Sequence, residues 1–144
     1  MSVIKVKGKT VKTIAEGCAL FDRKPDMRGC MPRPGITLYG NVTLWFPKIP
    51  NNYWENEPTK DCIYETPKDP TKNEWQISRY IDKGEIRITF LKHYNSGYVF
   101  QGIFKLDREE TRRLNKCVWK KISDKCETEL EALKEHINEI TKNK

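Results

Sequence analysis

Long apolar runs are missing from this sequence. None approaches the ~20 residues that a helix needs to cross a bilayer. The opening MSVIKVKGKTVK has no apolar stretch of the kind a secretory signal carries. Cysteine pairs at metal spacing are missing too. Cys18, Cys30, Cys62, Cys117 and Cys126 are an odd number with no CxxC or CxxH among them. That excludes a regular zinc site and a disulfide framework, and points to reduced thiols in the cytoplasm. Histidine is scarce, with only His93 and His136. No GxSxG, phosphate-binding Gly-rich loop, HExxH or zinc-deaminase pattern occurs. No catalytic residue, cofactor or metal is therefore expected. Acids around Asp61, Glu65, Asp69 and Glu74, with Lys68, leave a metal-dependent nuclease open as an alternative.

Proline is absent outside one window. All eight prolines fall between residues 25 and 70. A Pro-rich segment over 22–70 should be loop-rich with short edge strands. Within it GITLYGNVTLWF, residues 35–46, reads as one strand, and CIYE, 62–65, as another.

What the chain has in plenty is positive charge, a net of +7 over 144 residues. Residues 124–144 hold six acids and four bases, so residues 1–123 carry a net of +9. A basic body suits a polyanion such as DNA or RNA, or serves solubility alone.

The clearest local pattern is GEIRITFLKHYNSGYVFQGIFKLD, residues 84–107. Alternation places Ile86, Ile88 and Phe90 on one face, and Tyr98, Phe100, Gly102, Phe104 and Leu106 on one face of the next run. A five-residue loop ending in Gly97 predicts a hairpin with Phe90 opposite Phe100, Ile88 opposite Gly102 and Glu85 opposite Lys105. At Gly102 something can approach the backbone. Residues 73–84 fit a strand or a helix. Asp107 and Glu110 form a capping box that predicts a helix over 108–114, ended at Asn115. CVWKKI, 117–122, reads as a strand. Over 124–142 a helix is expected, capped by Asp124 and Glu127. Its apolar stripe runs through Cys126, Leu130, Leu133, Ile137 and Ile140. The stripe should pack on its own domain, although a homodimer seam is the alternative. His136 falls on the polar side of that helix.

The fifteen aromatic residues are interleaved with bases at Trp75-Arg79-Tyr80, Lys92-His93-Tyr94 and Trp119-Lys120-Lys121. Aromatic faces stack on exposed bases while Arg and Lys hold phosphates. The candidate nucleic-acid-binding residues are these together with Arg87. Tryptophans in the core are the competing reading.

Lys83-Gly84-Glu85 followed by Gly102-Ile103-Phe104 resembles the PUA-like group, which includes the ASCH, EVE, YTH and SRA modules. In that group an Asp usually stands where Glu85 stands here. The resemblance implies a small, strongly bent β-barrel with flanking helices. It also implies a pocket for a base, often a modified one, beside a basic surface. The expectation is thus one α+β domain over 1–144, a mostly antiparallel curled sheet or small PUA-like barrel with short helices and a C-terminal amphipathic helix. Its expected work is binding DNA or RNA, reading a modified or flipped-out base in defence or RNA processing. A protein-binding adaptor or inhibitor is the other alternative.

Overall fold

The computed structural model describes residues 3–6 and 8–142. In chain order they form β1 (Val3–Lys5), β2 (Thr10–Val11), α1 (Ile14–Ala19), β3 (Met27–Arg28), β4 (Met31–Pro32), β5 (Gly35–Tyr39) and β6 (Val42–Trp45). Then come β7 (Lys48–Ile49), β8 (Trp54–Pro58), β9 (Cys62–Pro67), a 3₁₀ turn (Pro70–Lys72) and α2 (Asn73–Tyr80). The remainder is β10 (Ile86–His93), β11 (Tyr98–Leu106), α3 (Arg108–Leu114), β12 (Cys117–Ser123), β13 (Lys125–Glu127) and α4 (Leu130–Thr141).

The main sheet runs β5-β6-β10-β11-β12-β9-β8, with β2 added on β11 and β7 on β10. It is mostly antiparallel, as expected, and α+β in class. It does not close into a barrel, because β5 and β8 end the path without pairing to each other. β6 and β7 lie parallel to β10 at one constant offset of 44 residues, from Val42↔Ile86 to Ile49↔His93. Pro47 divides the two because it has no N–H to donate. Its carbonyl still accepts from Lys92 N at 2.9 Å.

The strand expected over 35–46 is a hairpin instead. Tyr39 faces Val42 across Gly40-Asn41, and Gly40 takes φ +49°. Gly-Asn between two β-rich runs is a two-residue turn signal that outweighs the continuity of the run. β5 and β8 are the edge strands, as the proline content of that segment foretold.

In the β10–β11 hairpin Phe90 faces Phe100 as predicted. Beyond it the step changes. Thr89 faces Gly102, Ile88 faces Ile103 and Ile86 faces Lys105, so the predicted Ile88–Gly102 and Glu85–Lys105 pairs do not form. A β-bulge at Gln101-Gly102 adds one residue to β11 and inverts parity past it. Gly102 takes φ +122°, and a Cβ there would sit 2.5 Å from Ser123 O. What approaches its backbone is the neighbouring strand.

The inversion explains why the sheet has two different cores. On one face Ile88, Phe90, Phe100 and Ile103 pack with Ile14 and Cys18 of α1 and Leu133 and Ile137 of α4. On the other, Phe104, Leu106, Cys117, Trp119, Ile63 and Trp45 meet Ile77, Tyr80 and Ile81 around α2. The ambiguous residues 73–80 are helical for that reason, with Ile77 and Ile81 one turn apart on the buried side.

α3 is as expected, with Asp107 Oδ1 accepting from Glu110 N at 3.0 Å and Asn115 closing it at φ +56°. α4 starts later than the expected capping box, at Leu130. Residues 125–127 are a strand paired to β1, so Cys126 reaches the core from β13. His136 is not simply solvated, since its Nε2 lies 3.1 Å from Lys125 O and 3.2 Å from Ser123 Oγ, tying α4 to β12 and β13. No helix among the described residues is long and apolar enough to cross a membrane.

Candidate nucleic-acid interface

The second core is built around a charge. Arg87 projects from β10 and is 4% exposed. Its guanidinium lies over Trp119 at 3.6 Å, Trp45 at 4.5 Å and Tyr80 at 4.9 Å from the ring centres. Nε donates to Glu85 Oε2 at 2.7 Å and Nη1 to Glu65 Oε1 at 3.2 Å. Trp119 Nε1 donates to the same Glu65 oxygen at 3.1 Å. Burial works against the charge of Arg87, and Glu65 and then Glu85 more than offset it, so its pKa is raised. Burial also raises the Tyr80 phenol, with Arg87 pulling the other way.

Two cavities flank this cluster and share Arg28, Pro34, Trp45, Trp54 and Glu65 in their walls. The larger, about 590 Å³, is bounded further by Asn56, Tyr53, Tyr98 and the lysines Lys12, Lys48 and Lys92. Its size suits a small-molecule or base pocket, which usually falls between about 300 and 1,000 Å³. Asn56 and Glu65 are register partners across β8 and β9, so both side chains point to one face. Asn56 Nδ2 donates to Lys48 O at 3.2 Å, which fixes the amide. Its buried Oδ1 has no hydrogen-bond partner among the described protein atoms. The wall of this cavity therefore combines an oriented amide, a carboxylate and two indoles, those of Trp45 and Trp54.

The smaller cavity, about 370 Å³, lies on the α2 side and is lined by Gln76, Arg79, Tyr80 and Lys83, with Arg33 from the Pro-rich segment.

A family model for the SET and RING associated (SRA) domain matches residues 2–128. The chain belongs to the SRA family. SRA modules are PUA-like and read a modified, flipped-out cytosine. The SRA fold of this chain is similar to that of the 5-hydroxymethylcytosine-specific restriction enzyme AbaSI, with a TM-score of 0.68 at 19% identity. That likeness covers 88% of this chain and 42% of the enzyme, so the chain spans less than half of it. No curated protein matches.

Within this SRA domain the expected contact residues separate into three groups. Tyr80 and Arg79 line the smaller cavity and Lys92 the larger. Trp75 is 53% exposed on α2 with Arg79 stacked at 5.4 Å. His93 and Tyr94 stack on each other at 5.2 Å at the exposed hairpin tip. Lys120 and Lys121 line neither cavity, and Lys121 pairs with Asp124 at 3.2 Å. Trp119 and Arg87 need correction. Trp119 is 0% exposed and cannot stack on a base, and Arg87 is spent on two carboxylates and cannot hold a phosphate. Trp119 lies behind the cavity walls, whereas Arg87 forms part of the wall of the smaller cavity with its charge engaged.

Sequence reasoning did not single out Trp45, Trp54, Asn56 or Gln76, which line one or both cavities, and weighed Glu65 only for a metal. One signal was present, since WENEP alternates, with Trp54 and Asn56 turned inward and Glu55 and Glu57 exposed. The acids weighed for a metal do not converge. Glu65 serves Arg87, and Asp69 caps the 3₁₀ turn by accepting from Thr71 N at 3.0 Å. Among the described residues no three His, Cys, Asp or Glu side chains are placed to hold one ion.

Proposed function

We propose that the larger cavity receives the flipped base, a cytosine modified at its 5 position, from DNA handled in a cytoplasmic defence setting. The observation that carries this is the unpartnered Asn56 Oδ1 beside Glu65, with Trp45 and Trp54 as flat walls. Cytosine offers an exocyclic amine to such acceptors, whereas thymine offers the O4 oxygen and would leave them opposed. Lys12, Lys48 and Lys92 at the margin supply charge for the flanking phosphates. The apolar stripe of α4 is buried in its own chain through Leu133 and Ile137, so the domain works in this reading without a dimer seam.

The test is a binding series with duplex DNA and RNA carrying cytosine, 5-methylcytosine, 5-hydroxymethylcytosine or thymine at one site. Modified cytosine in DNA should bind tightest, with quenching of tryptophan fluorescence. Asn56→Leu should bring the modified cytosine and thymine duplexes to about equal affinity. A wild-type protein that treats all four bases alike would sink the reading.

A further inference from the structure

The smaller cavity contains a feature that the larger one does not explain. Gln76 of α2 is 0% exposed, and neither its Nε2 nor its Oε1 has a hydrogen-bond partner among the described protein atoms. Bulk water does not reach it. Burying a complete amide without partners is unfavourable, so such a group calls for an explanation. The two carboxylates in the same wall, Glu65 and Glu85, are engaged by Arg87. Gln76 nevertheless forms part of the cavity wall.

The chemistry of that wall narrows the ligand. Arg87 with Glu65 and Glu85 carries a net charge of −1, and Arg28, Arg33, Arg79 and Lys83 outweigh it, so the cavity is positive. A neutral sugar would leave those cations unused. A phosphate alone offers only acceptors and would leave Oε1 unmatched. A nucleotide answers both needs. Its phosphate meets the cations, its ring lies against Tyr80 or Trp54, and a base edge with an amine beside a ring nitrogen pairs with both ends of an amide.

We propose that the Gln76 cavity is a second nucleotide subsite, selective for adenine or cytosine, whose exocyclic amine adjoins a ring-nitrogen acceptor. It rests on the base-reading role of the larger cavity for its context. Because the two cavities share Trp45, Trp54 and Glu65, a nucleotide next to the flipped base on the same strand is one source. A free mononucleotide is the other.

Two arms separate the sources. The first measures affinity for modified-cytosine duplexes with each of the four bases in turn at either flanking position. The wild type should favour adenine or cytosine at one flank by about tenfold, in line with the discrimination of a good two-point contact. Gln76→Leu should flatten that preference and still bind the modified base. Its melting temperature should be no lower than wild type, since an orphan amide is gone. Gln76→Met is the second variant should leucine disturb α2. The second arm follows melting temperature with dAMP, dCMP, dGMP or dTMP. A rise with dAMP or dCMP that Gln76→Leu abolishes supports the subsite with a free nucleotide as its source. A flat flank profile in the wild type together with no mononucleotide shift overturns the proposal. So does a flank profile or shift that Gln76→Leu and Gln76→Met leave intact. Failure of the wild type to tell modified from plain cytosine counts against the larger cavity instead, and the mononucleotide arm still reads this one.

Discussion

The guanidinium of Arg87 lies 3.6 Å from the ring centre of Trp119, and both side chains are out of solvent. Glu65 closes the arrangement by accepting from each of them. Removing one member of a buried ion cluster strands the others. Arg87→Ala should therefore cost about 3–5 kcal/mol in urea unfolding. Arg87→Met combined with Glu65→Gln should recover part of the loss, because one buried carboxylate charge goes with the cation. A single variant with the wild-type midpoint would mean the cluster is not a structural centre.

The buried thiols give the fold an alkaline weakness. Burial raises the pKa of Cys18, Cys117 and Cys126, that of Cys117 to about 12 with Glu65 adding to the effect. An unfolded cysteine ionises near the ordinary value of 9.0. The folded chain then holds more protons than the unfolded chain between those values. Stability is complete below about pH 9 and falls as pH climbs toward about 12. Urea midpoints at about pH 8 and about pH 10 should show the fall, and Cys117→Val should make it shallower. Exposed Cys30 should react with a thiol reagent at once, and the three buried thiols only on unfolding.

Gly102 allows no side chain. Gly102→Val would set a Cβ against Ser123 O and force a β-branched residue to φ +122°. Overpacking and backbone strain together should cost roughly 2–4 kcal/mol. A neutral result would show that β12 can move away from the bulge.

That glycine also shows where reading the sequence stops. Its lack of a side chain was legible, and so was the Phe90–Phe100 pair. The inserted residue was not, because a bulge leaves the composition of a strand unchanged and shows only in the ladder it interrupts. Asp107, Glu110 and Asn115 disclosed α3 to the residue, since capping chemistry is local. Arg87 and Trp119 looked like surface binders because Lys and Arg next to aromatics read alike whether exposed or buried. Their burial depends on Glu65, 22 residues away from one and 54 from the other. The pocket residues Asn56 and Gln76 sat in segments read as loop or as ambiguous. Their meaning lies in partners they lack, which no local pattern records.

α4 is held to the sheet by few large side chains. Leu133 is fully buried among core residues, so Leu133→Ala should cost about 2–5 kcal/mol. The melting temperature should not change with protein concentration. A rise with concentration would return the helix to the dimer reading.

The lysines divide by location. Lys48 and Lys92 border the larger cavity, whereas exposed Lys120 borders neither. Lys48→Ala or Lys92→Ala should weaken binding to plain and modified DNA alike and lower the salt slope by about 1 each. Lys120→Ala should leave the slope nearly unchanged. An equal loss from all three would extend the contact surface along β12.

The parallel pairing of β6 and β7 with β10 sets an order of assembly. β10, β11 and β12 meet through short connections, whereas Val42 finds Ile86 only after the whole intervening excursion has closed. That excursion carries Trp54, Asn56, Glu65 and Gln76. Ladders of long closure form late and tend to open first. Amide hydrogens of β8 and β9 should then exchange with deuterium well before those of β10 and β11. That order of exchange would make the walls that hold a base the part of the molecule that breathes.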